Sequence, residues 1–355
     1  MTILIVTDAW HPQTNGVVTT LEQVIAGARD VGHRVEVLEP SSFRTMGLPG
    51  YREIRLAINP FSVGRRIREL APSAVHIATE GTLGLAARRF LVKSCLPFTT
   101  SLHTKFPEYM RARIGLPLRW GYRFLRWFHR PAGSTLVTTA RQQEELEAWG
   151  LGHLQVWGRG VDTRRFRPRP RLRDFDGPLL LYVGRLAVEK NLQAFFELDC
   201  PGRKVVVGDG PQRAALQRRY PDVTFTGYCY GDELAEWYAR ADVFVFPSRT
   251  DTFGLVMLEA MACGTPVAAY PVTGPVDLVI EGVNGALDED LGSAVERALN
   301  CDRVACRRFA EQQSWDSVVQ RFLDDLLPIV WPEPESTDVV LAADRIDALP
   351  SETHR

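Results

Sequence analysis

The chain alternates short apolar runs with longer stretches in which apolar residues recur at helical spacing. Five runs of the first half suit buried strands: Ile3–Thr7, Arg34–Glu39, Ala74–Ala78, Phe98–Leu102 and Thr135–Thr139. Five more follow in the second half: Leu179–Val183, Lys204–Gly208, Val223–Thr226, Asp242–Pro247 and Val267–Ala269. Short apolar runs bounded by turn residues are typical of parallel strands covered on both faces. The pattern predicts an α/β protein with two doubly wound, Rossmann-like sheets in tandem.

The alternation stops between Arg159 and Pro178. The residues that interrupt it are Arg164, Arg165, Arg167, Arg169, Arg171, Arg173, Pro168, Pro170 and Pro178. These charges and prolines argue against a buried element, so we interpret the segment as an interdomain linker. We expect a first domain over residues 1–165, a second over 166–313 and an amphipathic helix over 314–330. Residues 331–355 are acidic and proline-containing, and we expect them to be disordered.

Composition narrows the class of protein. Among 355 residues, 45% are hydrophobic and 24% charged, and the net charge is −1, so no bulk attraction for nucleic acid is expected. The six cysteines include no C-x-x-C pair, which favours reduced cytosolic thiols over a zinc site or disulfides. Met1–Val6 runs directly into a strand without a basic segment, so we expect no signal peptide. No apolar run approaches the ~18 residues that span a bilayer.

Ligands of open α/β sheets bind at the carboxyl ends of the strands, so the loops that follow strands are the candidate sites. The first such loop, Asp8–Gly16, ends at a helix start, where Gly16 lets the backbone approach a phosphate. An ordinary Asn-Gly turn explains this loop equally well. Another loop, Val207–Pro211, contains two glycines and is either a ligand turn or a simple strand–helix joint.

The loop Gly184–Asn191 carries two cations, Arg185 and Lys190, around an expected helix start. Cations there oppose the helix dipole, and an anion would relieve the conflict. A diphosphate fits, because Arg185 binds in bidentate fashion and Lys190 as a point charge. The alternative is a solvated helix start that Glu189 neutralises.

The longest loop runs from Pro247 into a helix that we expect to begin near Gly254. Asp251 lies in the loop, where its carboxylate can accept hydrogen bonds from sugar hydroxyls, and Glu259 lies in the helix, where it can reach ribose hydroxyls. The N–H groups of the first turn suit phosphate oxygens; they belong to Phe253, Gly254, Leu255 and Val256. The alternative is that Asp251 serves only as an anion at the helix N-terminus.

In this order, the four loops resemble the large retaining glycosyltransferase family 4 (glycosyltransferase group 1), which has the GT-B fold. The most specific stretches are G-R-L-x-x-E-K-N, G-D-G-P and F-G-L-x-x-x-E-A-M-A-x-G-x-P-V, and the match extends from about Met1 to Val330. The lipid-glycosylating branch, with its sulfoquinovosyl- and glycosyl-diacylglycerol synthases, is similar at Ser101–Thr104, Phe128–Arg130, Trp157–Asp162 and Phe166. The resemblance implies two domains that face a central cleft.

The resemblance also implies roles for matching positions. Arg185 and Lys190 would hold the donor diphosphate, and Glu259 the ribose. His103 matches the histidine that contacts the donor sugar near the reacting carbon, and Gly16 the phosphate-facing glycine. Asp251 stands where the family usually has the first glutamate of E-x7-E, so its reach is about one methylene shorter.

A retaining reaction of this family is expected to use front-face attack, with the leaving diphosphate accepting the acceptor's proton. The protein then supplies positioning and charge stabilisation rather than two catalytic carboxylates. None of the four candidate loops contains a D-x-D motif, so we expect no obligatory cofactor and no requirement for Mg²⁺.

The expected function is transfer of a hexose, such as glucose or glucuronate, from a UDP-sugar to a membrane lipid such as diacylglycerol. One alternative is a GDP-mannose-dependent α-mannosyltransferase acting on phosphatidylinositol or a polysaccharide precursor. A nucleotide-sugar epimerase is an alternative of another class, but the carboxylates found here belong to donor binding rather than to acid–base chemistry around a sugar ring. A non-catalytic nucleotide-sugar sensor would not need the full set of donor residues.

Local charge suggests a membrane surface. Residues 61–131 contain thirteen bases and three acids, within a chain of net charge −1. Arg65, Arg66 and Arg68 lie on one predicted helix beside Val63, Ile67 and Leu70 on its other face. A second helix carries a basic stripe and aromatic neighbours: Arg119, Arg123, Arg126, Arg130, Trp120, Phe124 and Trp127. Basic and aromatic side chains together suit the headgroup layer, so we expect a cytoplasmic protein that docks on the inner face of the membrane. The alternative is that the aromatics are core and the arginines only solvate the surface.

Overall fold

The computed structural model describes residues 1–13, 15–48, 51–170 and 176–331. The acidic tail after Trp331 and the linker arginines Arg171 and Arg173 lie outside these residues. Within them the chain forms two six-stranded parallel sheets and one antiparallel hairpin. The prediction of two parallel α/β sheets in tandem is therefore correct.

The N-terminal half contains the first sheet, with strand order β2-β1-β5-β6-β7-β8. Its strands, with the hairpin β3–β4, are β1 (Thr2–Val6), β2 (Arg34–Leu38), β3 (Thr45–Leu48), β4 (Tyr51–Ala57), β5 (Ala74–Ile77), β6 (Thr99–Ser101), β7 (Ser134–Val137) and β8 (Leu154–Val156). Its helices are α1 (Gly16–Asp30), α2 (Val63–Leu70), α3 (Thr82–Lys93), α4 (Phe106–Ile114), α5 (Leu118–His129) and α6 (Ala140–Ala148). The hairpin and β8 were not predicted.

The C-terminal half contains the second sheet, with strand order β11-β10-β9-β12-β13-β14. Its strands are β9 (Leu179–Val183), β10 (Arg203–Val207), β11 (Thr224–Gly227), β12 (Val243–Phe246), β13 (Val267–Ala269) and β14 (Gly285–Leu287). The helices are α7 (Leu192–Phe196), α8 (Arg213–Arg219), α9 (Gly231–Arg240), α10 (Leu255–Ala262), α11 (Pro275–Leu278), α12 (Leu291–Ala298), α13 (Arg303–Glu311) and α14 (Trp315–Asp325). β14 was not predicted from the sequence.

Each sheet is buried on both faces, which explains the continuous apolar runs. In β1, Ile3 and Ile5 pack with α1 on one face, whereas Leu4 and Val6 pack with α2 and α3 on the other. In β9, Leu180 and Leu181 likewise belong to cores on opposite faces. Because side chains alternate across a strand, a strand covered on both faces shows no polar alternation.

The end of the chain returns to the N-terminal half. In α14, Val318 and Phe322 are buried in the same core as Ile3 and Ile5, and the main-chain carbonyl of Val318 accepts a hydrogen bond of 2.9 Å from the indole of Trp157. Farther on, the N–H of Ile329 donates to the carbonyl of Ser73. The helix that follows the second sheet thus completes the layer around the first.

The linker interpretation is wrong at its first residues. Arg159, Val161 and Phe166 are buried, with 4%, 7% and 8% of their surface exposed. Gly160 packs so closely on the start of α14 that a Cβ would lie 2.5 Å from the main-chain nitrogen of Trp315. The two chain crossings between the halves therefore contact each other. The charged residues of this segment wrongly predicted that all of it is exposed.

In the part of the chain that the structure describes, no helix combines the length and the apolarity needed to cross a membrane.

Candidate active site

The predicted donor loops converge at the carboxyl ends of the strands, where the two halves face each other. A Cβ on Gly16, at the start of α1, would lie 3.4 Å from the side chain of Leu255, at the start of α10. The hydroxyl of Thr252 donates to the carbonyl of His103 over 2.7 Å, and Thr138 donates to the carbonyl of Thr252 over 2.9 Å. The loop before α10 is therefore in direct contact with the N-terminal half.

Lys190 and Asp251 form an ion pair inside the cleft, with 2.5 Å between Nζ and Oδ1. Burial opposes the charge of Lys190, but Asp251, Tyr109 and Tyr182 together raise the pKa of Lys190 above its ordinary value. The second carboxylate oxygen of Asp251 is buried and has no hydrogen-bond partner among the described residues. An unsatisfied buried acceptor is costly, and a hydroxyl of a bound sugar would satisfy it.

Arg185 belongs to the same cluster, although the helix expected beside it starts later. The chain makes a short 3₁₀ turn at Val188–Lys190, and α7 begins only at Leu192. The hydroxyl of Tyr182 donates to the carbonyl of Arg185 over 3.0 Å, which anchors the loop. Both cations therefore lie before the start of α7, and Lys190 directly precedes its N-cap residue Asn191.

The start of α10 offers N–H groups to the cleft. Gly254 has φ +87°, a left-handed conformation that glycine adopts without steric cost, and the helix begins at the next residue. The first-turn N–H groups of Leu255 and Val256 have no intrahelical acceptor. Phe253 was predicted to bind the donor, but its side chain is buried in the core of the second sheet, which leaves only its main chain for that role.

Glu259 lies one turn farther along α10 and accepts a hydrogen bond of 2.8 Å from the hydroxyl of Tyr238. Burial raises the pKa of Glu259 to about 7, although the bond from Tyr238 acts in the opposite direction. The side chain is partly exposed, so its remaining acceptor capacity is available to hydroxyls of a ligand.

On the N-terminal side, His103 is held at both ring nitrogens. Its Nε2 lies 2.8 Å from the hydroxyl of Ser101, and its Nδ1 lies 3.0 Å from the guanidinium of Arg159. Burial, followed by the charge of Arg159 and by His76, lowers the pKa of His103 well below its ordinary value. The main-chain carbonyl of His103 borders the loop before α10, where it accepts the hydrogen bond from Thr252.

Two residues of this site were not singled out from the sequence as individual site residues. Tyr109, on α4, is electrostatically coupled with Lys190, Asp251 and Arg185, and burial raises the pKa of Tyr109 to about 12. Arg159 was included only in the expected linker and in a stretch that resembles the family. Neither residue has a local signal, because α4 and the chain crossing reach the donor loops only through the tertiary fold.

The basic surface of the N-terminal half is formed by α2 and α5, which both pack on α3. Gly64 of α2 sits against Phe90, and Arg88 of α3 donates to the carbonyls of Trp127 and Phe128. Trp120 and Trp127 are 50% and 51% exposed, so these aromatics are not core.

The arginines of this surface differ in their contacts. On α2, Arg65 is exposed, Arg66 lies over the ring of Phe43, Arg68 lies over the ring of Phe90, and Leu70, expected on the apolar face, is 36% exposed. On α5, Arg119 and Arg123 lie 5.9 and 5.8 Å from the ring of Trp120, and Arg126 is exposed. The result is a surface of exposed tryptophans surrounded by guanidinium groups.

Two family models match the two halves. Residues 14–165 match the model described as Glycosyltransferase Family 4, and residues 177–301 match the model described as Glycosyl transferases group 1. A GDP-mannose-dependent alpha-mannosyltransferase of Mycobacterium tuberculosis is 32% identical over 90% of this chain and 95% of its own length. A sulfoquinovosyl transferase of Arabidopsis thaliana is 32% identical over 76% of this chain and 55% of its own length.

Solved structures agree on the fold. A sucrose-phosphate synthase of Thermosynechococcus elongatus superposes with a TM-score of 0.74, at 19% identity over 91% of this chain and 97% of that one. Two parallel-sheet halves with donor loops at their facing edges define a GT-B glycosyltransferase. The chain belongs to glycosyltransferase family 4, as the sequence motifs indicated.

Proposed function

We propose that the chain is a retaining, metal-independent hexosyltransferase that glycosylates a lipid at an anionic membrane surface. The donor-binding part of the proposal rests on the cluster of Arg185, Lys190 and Asp251 beside the start of α10. Two cations and first-turn N–H groups suit a diphosphate, and the unpartnered oxygen of Asp251 suits a sugar hydroxyl.

Two donors have support. GDP-mannose is supported by relatives whose names state that dependence, in Mycobacterium tuberculosis and in Corynebacterium glutamicum at 29% identity over 93% of this chain. A glucosyl donor, for which we expect UDP as the carrier from the sequence, is supported by the name of an alpha-monoglucosyldiacylglycerol synthase of Streptococcus pneumoniae, 26% identical over 84% of this chain. The name of this synthase also supports a lipid acceptor, to which the donor sugar is transferred.

The proposed reaction retains the anomeric configuration. The acceptor hydroxyl attacks the face from which the diphosphate leaves, and a diphosphate oxygen takes its proton. Arg185 and Lys190 stabilise the negative charge that develops on the leaving group, the role that a metal ion plays in other transferases.

A donor panel tests this function. GDP-mannose, UDP-glucose, UDP-glucuronate and UDP-galactose would each be incubated with vesicles containing dioleoylglycerol or phosphatidylinositol, with and without EDTA. We expect one donor to give a lipid product of unchanged anomeric configuration by NMR, at a rate that EDTA leaves unchanged. Conversion of the donor sugar without any acceptor would instead identify an epimerase. Loss of the rate in EDTA, restored by Mg²⁺, would contradict the metal-independent reaction.

The membrane part of the proposal rests on the exposed tryptophans and arginines of α2 and α5. Each basic residue near an anionic surface contributes about 1 kcal/mol, so three engaged arginines correspond to about a hundredfold in affinity. Exposed tryptophans add the amphipathic contact that the headgroup layer favours.

Vesicle cosedimentation tests the docking. We expect binding to vesicles that contain phosphatidylglycerol, weaker binding at high salt, and about a hundredfold loss in Arg65/Arg66/Arg68→Ser. Arg218/Arg219/Arg308→Ser, which removes three exposed arginines of the C-terminal half, is the matched control. Thermal unfolding would check that both variants are folded. Equal sedimentation with neutral vesicles, or none with either, would favour a soluble acceptor.

A further inference from the structure

Arg159 is a buried guanidinium with an unusual set of partners. It donates to the carbonyl of Trp157 over 2.6 Å, to the carbonyl of Gly158 over 2.8 Å and to Nδ1 of His103 over 3.0 Å. It also lies over the ring of Trp157, 4.6 Å from the centroid. All of these partners are neutral, and within the described ranges no carboxylate lies within ion-pair distance of it. Burial lowers the pKa of Arg159 to about 9.

A buried charge without an opposite charge costs several kcal/mol, so a neutral side chain would be cheaper if Arg159 only filled space. Its position indicates what the charge does. Arg159 lies at the chain crossing between the halves, and its only side-chain partner among these bonds is His103, whose carbonyl contacts Thr252 beside Asp251.

The guanidinium of Arg159 sets the tautomer of His103. A guanidinium only donates, so Nδ1 of His103 must accept and its proton must be on Nε2. That N–H donates to the hydroxyl of Ser101 over 2.8 Å. The hydroxyl of Ser101 also lies 2.9 Å from Nε2 of His76, and it can donate its proton to the carbonyl of Ala78 over 3.5 Å. The direction of the hydrogen bonds is therefore fixed from Arg159 as far as Ser101.

We propose that Arg159 is a positioning residue that holds His103 in its neutral Nε2–H tautomer and fixes its ring and carbonyl group at the cleft. This inference rests on the proposed function and on the place that the family resemblance gives His103, near the reacting carbon of the donor sugar. Glycosyl transfer passes through a state with positive charge on the sugar ring, and an imidazolium beside that ring would oppose it. The titratable groups that act on His103 are Arg159 and His76, while the loop of the other half contacts it through the neutral Thr252.

The tautomer can be measured without turnover. In protein labelled with ¹⁵N-histidine, long-range ¹H–¹⁵N correlation spectra distinguish the two neutral tautomers and the imidazolium, and His103→Asn assigns the signal. We expect His103 to be the Nε2–H tautomer and to stay neutral from pH 8 to pH 5. An Nδ1–H tautomer, or protonation of His103 in the ordinary histidine range, would overturn the proposal whatever the donor and acceptor prove to be.

Variants connect the tautomer to catalysis. In Arg159→Met we expect a mixture of tautomers, a protonation midpoint shifted toward the ordinary histidine range, and a kcat reduced by about 10–100-fold with donor KM little changed. Arg159→Lys, which keeps one charged donor, should retain the tautomer and part of the kcat. A merely structural role predicts equal losses in both variants and no change in the tautomer of folded protein. If Arg159→Met does not fold, the spectrum of the native protein still decides.

Discussion

Lys190 of the C-terminal half and Arg159 on the N-terminal side are both cations of the cleft, and they differ in what surrounds them. Lys190, in the C-terminal half, has the carboxylate of Asp251 at 2.5 Å, and the pKa of Lys190 is raised. Arg159, from the N-terminal side, has two carbonyls and an imidazole, and the pKa of Arg159 is lowered to about 9. In the proposed function, Asp251 keeps Lys190 charged before the anionic donor binds. Arg159 orients His103 through a hydrogen bond and needs no such carboxylate.

The largest effect on turnover is expected when a cation of the proposed donor site is removed. Lys190→Ala and Arg185→Ala should each lower turnover by at least about a hundredfold, the scale of removing one electrostatic stabiliser of a transition state. Arg297→Ala, which removes an exposed arginine of the same half, paired with Glu281 and Asp288, should change turnover little. Circular dichroism would check folding. Near-normal turnover in both cleft variants would remove the diphosphate from this cluster.

A smaller effect is expected at Tyr109, the residue of the N-terminal half that faces the Lys190–Asp251 pair. Removing its hydroxyl in Tyr109→Phe deletes a polar group beside charged partners, and we expect turnover to fall about tenfold. Tyr122→Phe is the control, because its hydroxyl bonds to Glu108 within the same layer of helices. Equal rates for Tyr109→Phe and native protein would mean that α4 only covers the cleft.

Donor loops were predictable from the sequence because each one lies between a strand and a helix and carries its chemistry locally. The contacts on the N-terminal side of the cleft were not predictable, since the residues that make them meet only in the fold. Arg159 looked like part of an exposed arginine-rich linker, yet it is buried because two chain crossings pack against each other there. Likewise, the pattern around Val318 and Phe322 predicts an ordinary amphipathic helix, but it does not indicate which half that helix covers.

Two of the strands that were not predicted from the sequence are short and lie at sheet edges. β8 and β14 each have three residues and lie at the outer edges of the two sheets. A three-residue run is too brief to show a period, and an edge strand carries less of the continuous apolar pattern by which buried strands are recognised.

Glu259 provides a test through stability. Its pKa is higher in the folded protein, about 7, than the ordinary 4.5, so folding favours the protonated carboxyl. The contribution of Glu259 to stability is therefore fully present below about pH 4.5 and is lost as pH rises through 7. Because the side chain is partly exposed, we expect Glu259→Gln to stabilise the protein by only about 1–2 kcal/mol at pH 8, and by almost nothing at pH 4.

Thermal and urea unfolding at the two pH values would measure this difference. Donor binding should weaken in the same variant, since an amide is a poorer acceptor for ribose hydroxyls than a carboxylate. Glu233→Gln, at an exposed glutamate of α9, is the matched control for the substitution. A Glu259→Gln protein equally stable at both pH values would show that the carboxyl is not held in its neutral form.

The smallest expected effect concerns the choice of sugar. Asp251 stands where the family usually has glutamate, and Lys190 fixes one of its oxygens while the other has no partner. In Asp251→Glu the carboxylate advances by about 1.5 Å, the length of one backbone bond. Its ion pair with Lys190 persists, so stability and total turnover should change little, whereas the ratio of rates for two donor sugars should shift several-fold. Asp251→Asn, of unchanged length, separates reach from charge: it should lower the rate for all donors alike. Competition between GDP-mannose and UDP-glucose, read from the product ratio, measures the shift. If Asp251→Glu leaves both the ratio and the rate unchanged, Asp251 does not touch the transferred sugar.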